Sequence, residues 1–169
     1  MGADEVAATV WIVGLGSNLG DRLTHLRRAA DALGRVDGIR ERGRSRVFET
    51  APVGGPDQPS YLNAAVTIAT ALPAATLLEH ALGIERALGR ARPDPVRWGP
   101  RTIDIDLLWA DQLVVDQPGL RVPHPRLHVR PFALIPLLEL APDATDPTTG
   151  QRYADLEAAR AELSAYGRL

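Results

Sequence analysis

The sequence predicts an α+β fold: a ferredoxin-like βαββαβ sandwich, with an antiparallel sheet, helices on one face and long substrate-covering loops, followed by extra C-terminal helices. Three observations carry that expectation. Apolar residues follow a period of two, then about 3.6, in the order strand, helix, strand, strand, helix, strand. Both helical stretches are amphipathic, so each needs a sheet face to cover. Two proline-rich segments are too long for simple connections in a small domain.

Taken in order, residues 9–16 (Thr-Val-Trp-Ile-Val-Gly-Leu-Gly) are β-branched and apolar and then break on glycines, as a buried strand does. Residues 14–20 imitate a dinucleotide fingerprint, but the glycine spacing is wrong for one. They are read as a tight strand-to-helix turn, capped by Ser17, Asn18 or Asp21. Leu23, Leu26, Ala30 and Leu33 recur at helical spacing between Asp21 and Val36. A short strand is expected over Arg44–Glu49. Three prolines and two glycines make 50–60 an irregular loop. Leu62, Ala64, Val66 and Ile68 alternate with Asn63, Ala65 and Thr67, giving a second long strand. A helix begins near Ala74 on Leu77, Ala81, Ile84 and Leu88. The Arg90–Pro100 segment is a second loop, Thr102–Trp109 a strand, and Gln112–Asp116 its continuation as a hairpin. An apolar helix over Pro131–Leu140 and a polar one over Tyr153–Ala165 complete the list. One domain is expected over 1–169, with its core at 10–143, a tail at 1–8 and a peripheral 144–169. The sheet face away from the helices should be open to ligands, covered only by the two loops.

Composition narrows the chemistry. Hydrophobic residues at 45% and charged residues at 24% exclude disorder as the main state. No apolar run approaches the roughly 18 residues of a membrane span. Met1 to Ala8 carries Asp4 and Glu5 and no base, unlike a secretory leader. With no cysteine, disulfides, thiolate metal sites and cysteine nucleophiles are absent, and a cytoplasmic location is expected. All 19 basic residues are arginine, which excludes lysine chemistry and leaves anion binding to guanidiniums, helix N-termini or metal ions.

The densest chemistry lies between Arg90 and Leu108. On a strand, Ile103, Ile105 and Leu107 face one way while Thr102, Asp104 and Asp106 face the other. Two carboxylates at i and i+2 stand about 7 Å apart. They form either a solvated polar face or a seat for a hard divalent cation with phosphate oxygens. Arg90, Arg92, Arg97 and Arg101 add four guanidiniums within 12 residues, with only Asp94 to offset them. Such a field suits a metal-bound polyphosphate. Tyr61 and Asn63 share a strand face, an aromatic plane beside a carboxamide, suited to a flat heteroaromatic ring or to plain surface packing. His124 sits among prolines in Val122-Pro123-His124-Pro125-Arg126, a stiff segment. His25, His80 and His128 are read as structural, and no spacing suggests zinc.

Taken together, Arg97–Leu108, Gly16-Ser17-Asn18, Asp57-Gln58-Pro59-x-Tyr61-Leu62-Asn63, Val122–Arg126 and Pro136-Leu137-x-Glu139-Leu140-Ala141-Pro142 resemble the 6-hydroxymethyl-7,8-dihydropterin pyrophosphokinases of folate biosynthesis. The resemblance spans residues 10–143. It implies transfer of pyrophosphate from ATP to the pterin hydroxymethyl group, with release of AMP. It implies two Mg²⁺ ions held by Asp104 and Asp106. Tyr61 and Phe132 would sandwich the pterin, Asn63 and the Thr50 and Val53 backbone would read its edges, and Trp98 would close over it. Arg90, Arg92, Arg101 and Arg130 would hold phosphates, while Glu85, Leu107 and His124 would contact the nucleotide. A monomer without nucleic-acid or membrane partners is expected. Ala51, Val53 and Pro125 depart from the family pattern.

Two other classes fit parts of the sequence. An RNA-binding module would share the sheet and the arginines, but 5% aromatic content and a net charge of −2 oppose it. A regulatory domain that binds ATP without turnover would not need the acid pair.

Overall fold

The computed structural model of the chain describes residues 7–169. The N-terminal tail expected at 1–8 therefore lies, but for its last two residues, outside the described residues. The strands are β1 (Thr9–Ser17), β2 (Ile39–Arg44), β3 (Arg46–Thr50), β4 (Tyr61–Thr70), β5 (Asp104–Ala110), β6 (Val115–Gln117), β7 (Leu120–Val122) and β8 (Ser164–Arg168). The helices are α1 (Arg22–Gly34), α2 (Ala74–Ala87) and α3 (Pro131–Leu140). The main sheet runs β5-β1-β4-β3-β8, with β2 also on β4, and its pairs are antiparallel. β1, α1, β2/β3, β4, α2 and β5 thus form the expected ferredoxin-like unit, with β1 and β4 central.

α1 and α2 lie on one face, and their local causes are plain. Asp21 caps α1 by accepting from the Thr24 N–H at 3.1 Å. Leu26, Ala29, Ala30 and Leu33 then bury one stripe. α2 follows Pro73, buries Leu77 and Ala81, and ends before Gly89, whose φ of +93° turns the chain into Arg90. Against them pack Val13, Leu15, Leu62, Ala64, Val66 and Ile68.

Several expectations are corrected. The opposite sheet face is not open: α3, started by Pro131 at its first turn, lays Leu134 and Leu137 with Leu127 over Ile12, Ala65 and Leu108. β4 is consequently buried on both sides, and the ligand face is confined to the end of the sheet that α3 leaves uncovered. The short strand expected over 44–49 is present as β3, but a further strand, β2, precedes it, and Ser45 separates the two: its N–H donates to the Ala65 carbonyl and its hydroxyl accepts from the Ala65 N–H. Gln112–Asp116 does not extend β5. The chain turns at Gln112, with φ of +54°, and β6 pairs with β7 in a separate ribbon. Tyr153–Ala165 is not a helix but two 3₁₀ turns leading into β8, which pairs with β3 from Arg46↔Arg168 to Glu49↔Ser164. Burial of Tyr153 beside α3 and pairing at a free sheet edge outweigh the helical propensity of Ala and Glu there. Finally, Gly14 and Gly16 do not make a turn, since β1 continues through both to Ser17.

Candidate active site

A cleft of about 830 Å³ opens at the end of the sheet where β1, β4 and β5 meet the loops 51–60 and 91–101. Its floor is the two glycines of β1. Gly16 pairs with Asp104 and Gly14 with Asp106, so the acids of β5 lie beside bare backbone. A Cβ at Gly16 would stand 3.0 Å from the Asn63 carboxamide oxygen, and one at Gly14 2.9 Å from Leu108. Glycine keeps this floor low.

Asp104 and Asp106 project from alternate positions of β5 on the cleft side. They are not equivalent. Asp104 Oδ1 accepts from Arg90 Nη1 at 2.6 Å and its Oδ2 from Arg101 Nη1 at 3.3 Å. Among the described residues, no ion pair reaches Asp106. Burial, and then the charge of Asp104, push its carboxyl up to about 7. Two hard oxygen donors, one of them short of positive charge, match a divalent cation. No group of three or more His, Asp or Glu converges among the described residues, so such an ion would draw its other ligands from water and substrate oxygens.

The arginines are aimed from below. Glu85 is fully buried at the end of the α2 stripe Leu77–Ala81–Glu85. Its Oε1 accepts from Arg90 Nη1 at 2.8 Å and from the Ile105 N–H at 2.9 Å, and its Oε2 accepts from Arg92 Nη2 at 2.8 Å. Expected as a nucleotide contact, the Glu85 carboxylate instead faces the protein interior, because two guanidiniums and a strand N–H satisfy it there. Arg92, Arg101 and Arg130 reach the cleft wall. His124 lies there too, with Nδ1 accepting the Arg126 N–H at 3.1 Å. Burial, and then the nearby Arg130 charge, depress its imidazolium to about 4.

The aromatic residues line the other half. Tyr61 rises from the first position of β4 and Phe132 from the first turn of α3, both into the cleft. The Asn63 amide, 7% exposed, donates to Thr50 Oγ1 at 2.7 Å, which fixes its direction. Val53 is exposed in the 51–60 loop. Trp98 adopts φ of +63° at the tip of the 91–101 loop, with the guanidiniums of Arg126 and Arg97 at 5.4 and 5.9 Å from its ring. Leu107 is turned away, into an adjoining cleft of about 600 Å³ with Leu78 and Leu120. Both clefts share Asp106 and His124.

Sequence reasoning named Asn18 as a cap or motif residue, Gln58 as a motif residue and Glu85 as a nucleotide contact, but missed that they tie these parts together. Asn18, 1% exposed, donates to Gln58 Oε1 at 2.9 Å and to the Pro59 carbonyl at 3.0 Å, and accepts the Arg101 N–H at 2.8 Å. Gln58 Nε2 donates to the Trp98 carbonyl at 2.8 Å. Gly55 packs against that same carbonyl, where any Cβ would clash. A polar side chain directly after an apolar strand was the available signal for Asn18. For Glu85 it was an acid on the apolar stripe of a helix.

Arginines gathered around an acid pair, beside an aromatic slot, define an enzyme cleft for an anionic substrate and a flat one. The comparisons name the family. The model of 7,8-dihydro-6-hydroxymethylpterin-pyrophosphokinase (HPPK) matches residues 12–142. The chain is 42% identical over 145 residues to the 2-amino-4-hydroxy-6-hydroxymethyldihydropteridine pyrophosphokinase of Synechocystis, covering 86% of this chain and 73% of that one. It is 47% identical over 131 residues to the enzyme of the same name from Methylorubrum extorquens, covering 78% and 82%. Among solved structures, wild-type Plasmodium falciparum HPPK-DHPS superposes with a TM-score of 0.66 at 12% identity, over 89% of this chain and 44% of that longer one. That likeness is one of fold. The chain belongs to the HPPK family and is an ATP-dependent pyrophosphokinase of folate synthesis.

Proposed function

We propose that the chain transfers the pyrophosphoryl group of ATP to the hydroxymethyl group of 6-hydroxymethyl-7,8-dihydropterin and releases AMP. The observation that carries this reading is the acid pair Asp104/Asp106: both line the larger cleft, which is walled by aromatic and amide groups, and Asp106 also lines the smaller one, where Leu78, Leu107 and Leu120 form an apolar patch among polar groups. The larger cleft suits the pterin, with Tyr61 and Phe132 on its faces and Asn63 and the Thr50 and Val53 backbone at its edges. The smaller suits an adenine against Leu78, Leu107 and Leu120. The triphosphate then crosses the junction, where Arg90, Arg92, Arg101, Arg130 and His124 are within reach.

Asp104 and Asp106 would hold two Mg²⁺ ions. Bound there, the ions supply charge neutralisation of the triphosphate. The protein's own part is positioning. The hydroxymethyl oxygen attacks the β-phosphorus, the bond from that phosphorus to the oxygen bridging the α-phosphate breaks, and AMP leaves. Arg90 and Arg101 lie where charge grows on the transferred group, and Trp98 with both loops excludes water that would hydrolyse ATP. The test is to incubate the protein with ATP, Mg²⁺ and the hydroxymethyl dihydropterin and to separate the nucleotides. AMP formed in step with a pyrophosphorylated pterin is expected; ADP, or AMP without the pterin product, overturns the reading.

A further inference from the structure

Asp94, in the 91–101 loop, has no part in the reaction described above, yet it sits at the centre of its arginines. We propose that Asp94 is an internal stand-in for a phosphate: its carboxylate occupies Arg90 and Arg101 before substrate arrives, is exchanged for the polyphosphate, and releases the loop as it goes. This rests on the polyphosphate reading of the cleft.

The donor inventory of Arg90 makes the case. A guanidinium offers five N–H groups in a fixed fork. Nη1 serves Glu85 Oε1 at 2.8 Å, Asp104 Oδ1 at 2.6 Å and the Ile103 carbonyl at 3.3 Å. Nε and Nη2 make a two-pronged grip on Asp94 Oδ1 and Oδ2, both at 3.2 Å. The Arg90 side chain is 4% exposed. A phosphate therefore cannot meet Arg90 through two hydrogen bonds while Asp94 remains. Arg101 repeats the pattern, with Nη2 3.3 Å from Asp94 Oδ2.

Of the three carboxylates on Arg90, only Asp94 is free to leave. Glu85 is buried inside α2 and Asp104 is fixed on β5, whereas Asp94 lies in an irregular loop whose neighbours Pro93 and Pro95 are exposed. Both of its contacts to Arg90 and its contact to Arg101 exceed 3 Å, longer than a tight charge-assisted bond. Burial alone would raise the Asp94 carboxyl. The hydrogen bond and charge of Arg90, then the charges of Arg101 and Arg92, outweigh that and hold it below the ordinary range, so it is anionic near neutrality. A polyphosphate brings more charge and more acceptor oxygens to the same fork, so the exchange favours it. The displaced carboxylate unties its loop from Arg90 and Arg101, which frees Trp98 to settle over the occupied cleft.

The experiment titrates Mg²⁺ with α,β-methylene-ATP, a nonhydrolysable analogue, into the wild-type chain, Asp94→Asn and Asp57→Asn, the last removing an exposed acid from the facing loop. Amide exchange is followed over 91–100 with and without the analogue. Asp94→Asn is expected to bind about tenfold tighter. Its ligand-free loop should exchange faster than the wild-type loop, and the two should match once the analogue is bound. Asp57→Asn should stay within about twofold of wild type. Unchanged or weaker binding by Asp94→Asn, or an equal gain from Asp57→Asn, overturns the exchange role while leaving the polyphosphate site intact. Failure of the wild-type chain to bind the analogue overturns both.

Discussion

Asp106 shows how a single side chain can serve chemistry against stability. An acid whose folded form prefers its proton destabilises the fold as pH rises from its usual value of 3.8 to about 7, because the unfolded chain ionises first. In chelator-treated protein, Asp106→Asn should therefore be more stable than wild type at pH 8, by on the order of 2 kcal/mol, with the gap closing near pH 4. The same variant should lose pyrophosphoryl transfer. Melting curves and AMP release test the two halves, and a variant that is both less stable and active contradicts the assignment. His124 acts in the opposite direction. Its folded imidazole resists protonation down to about 4, while the unfolded one titrates near 6.5. Stability from this group is complete above pH 6.5 and falls as the pH drops toward 4, by at most about 3 kcal/mol. The His124 ring proton shift in NMR should stay flat from pH 8 to pH 5, and a midpoint near 6.5 contradicts the burial argument. Both acids and His124 were legible from residue type and spacing. What β5 could not reveal was the asymmetry, since the spacing of the arginines does not say which acid Arg90, from the end of α2, and Arg101, from the preceding loop, would grip.

At the level of elements, periodicity located β1, α1, β4, α2, β5 and α3 because each has an apolar stripe facing something large. It failed where stability comes from a partner remote in sequence. β8 is a strand because β3 offers it an edge, and residues 153–165 carry no trace of that edge. The period-two reading of β4 treated Asn63, Ala65 and Thr67 as the open side, but Ala65 is fully buried beneath α3. α3 should therefore carry a real share of stability. Leu134→Ala, at a fully buried contact, is expected to cost roughly 3 kcal/mol in urea unfolding, with the midpoint moving and the slope unchanged. A cost below about 1 kcal/mol would show that α3 merely rests on the sheet.

Across the whole molecule, the fold reduces to one sheet with two unequal covers. α1 and α2 span one face, while α3 leaves the other bare only at the end that holds the cleft. Nothing in the local sequence marks that boundary. It follows from the length of α3, and the expectation of a whole open face was wrong for that reason. Among the described residues, no helix is long and apolar enough to cross a membrane. The seam Asn18–Gln58–Trp98 spans the mouth of the cleft and joins segments 40 residues apart to the end of β1. Two flaps sewn at their rims to one anchor cannot swing independently. A dye on either hem would register what happens to both, and a mutation in one would be felt as slack in the other.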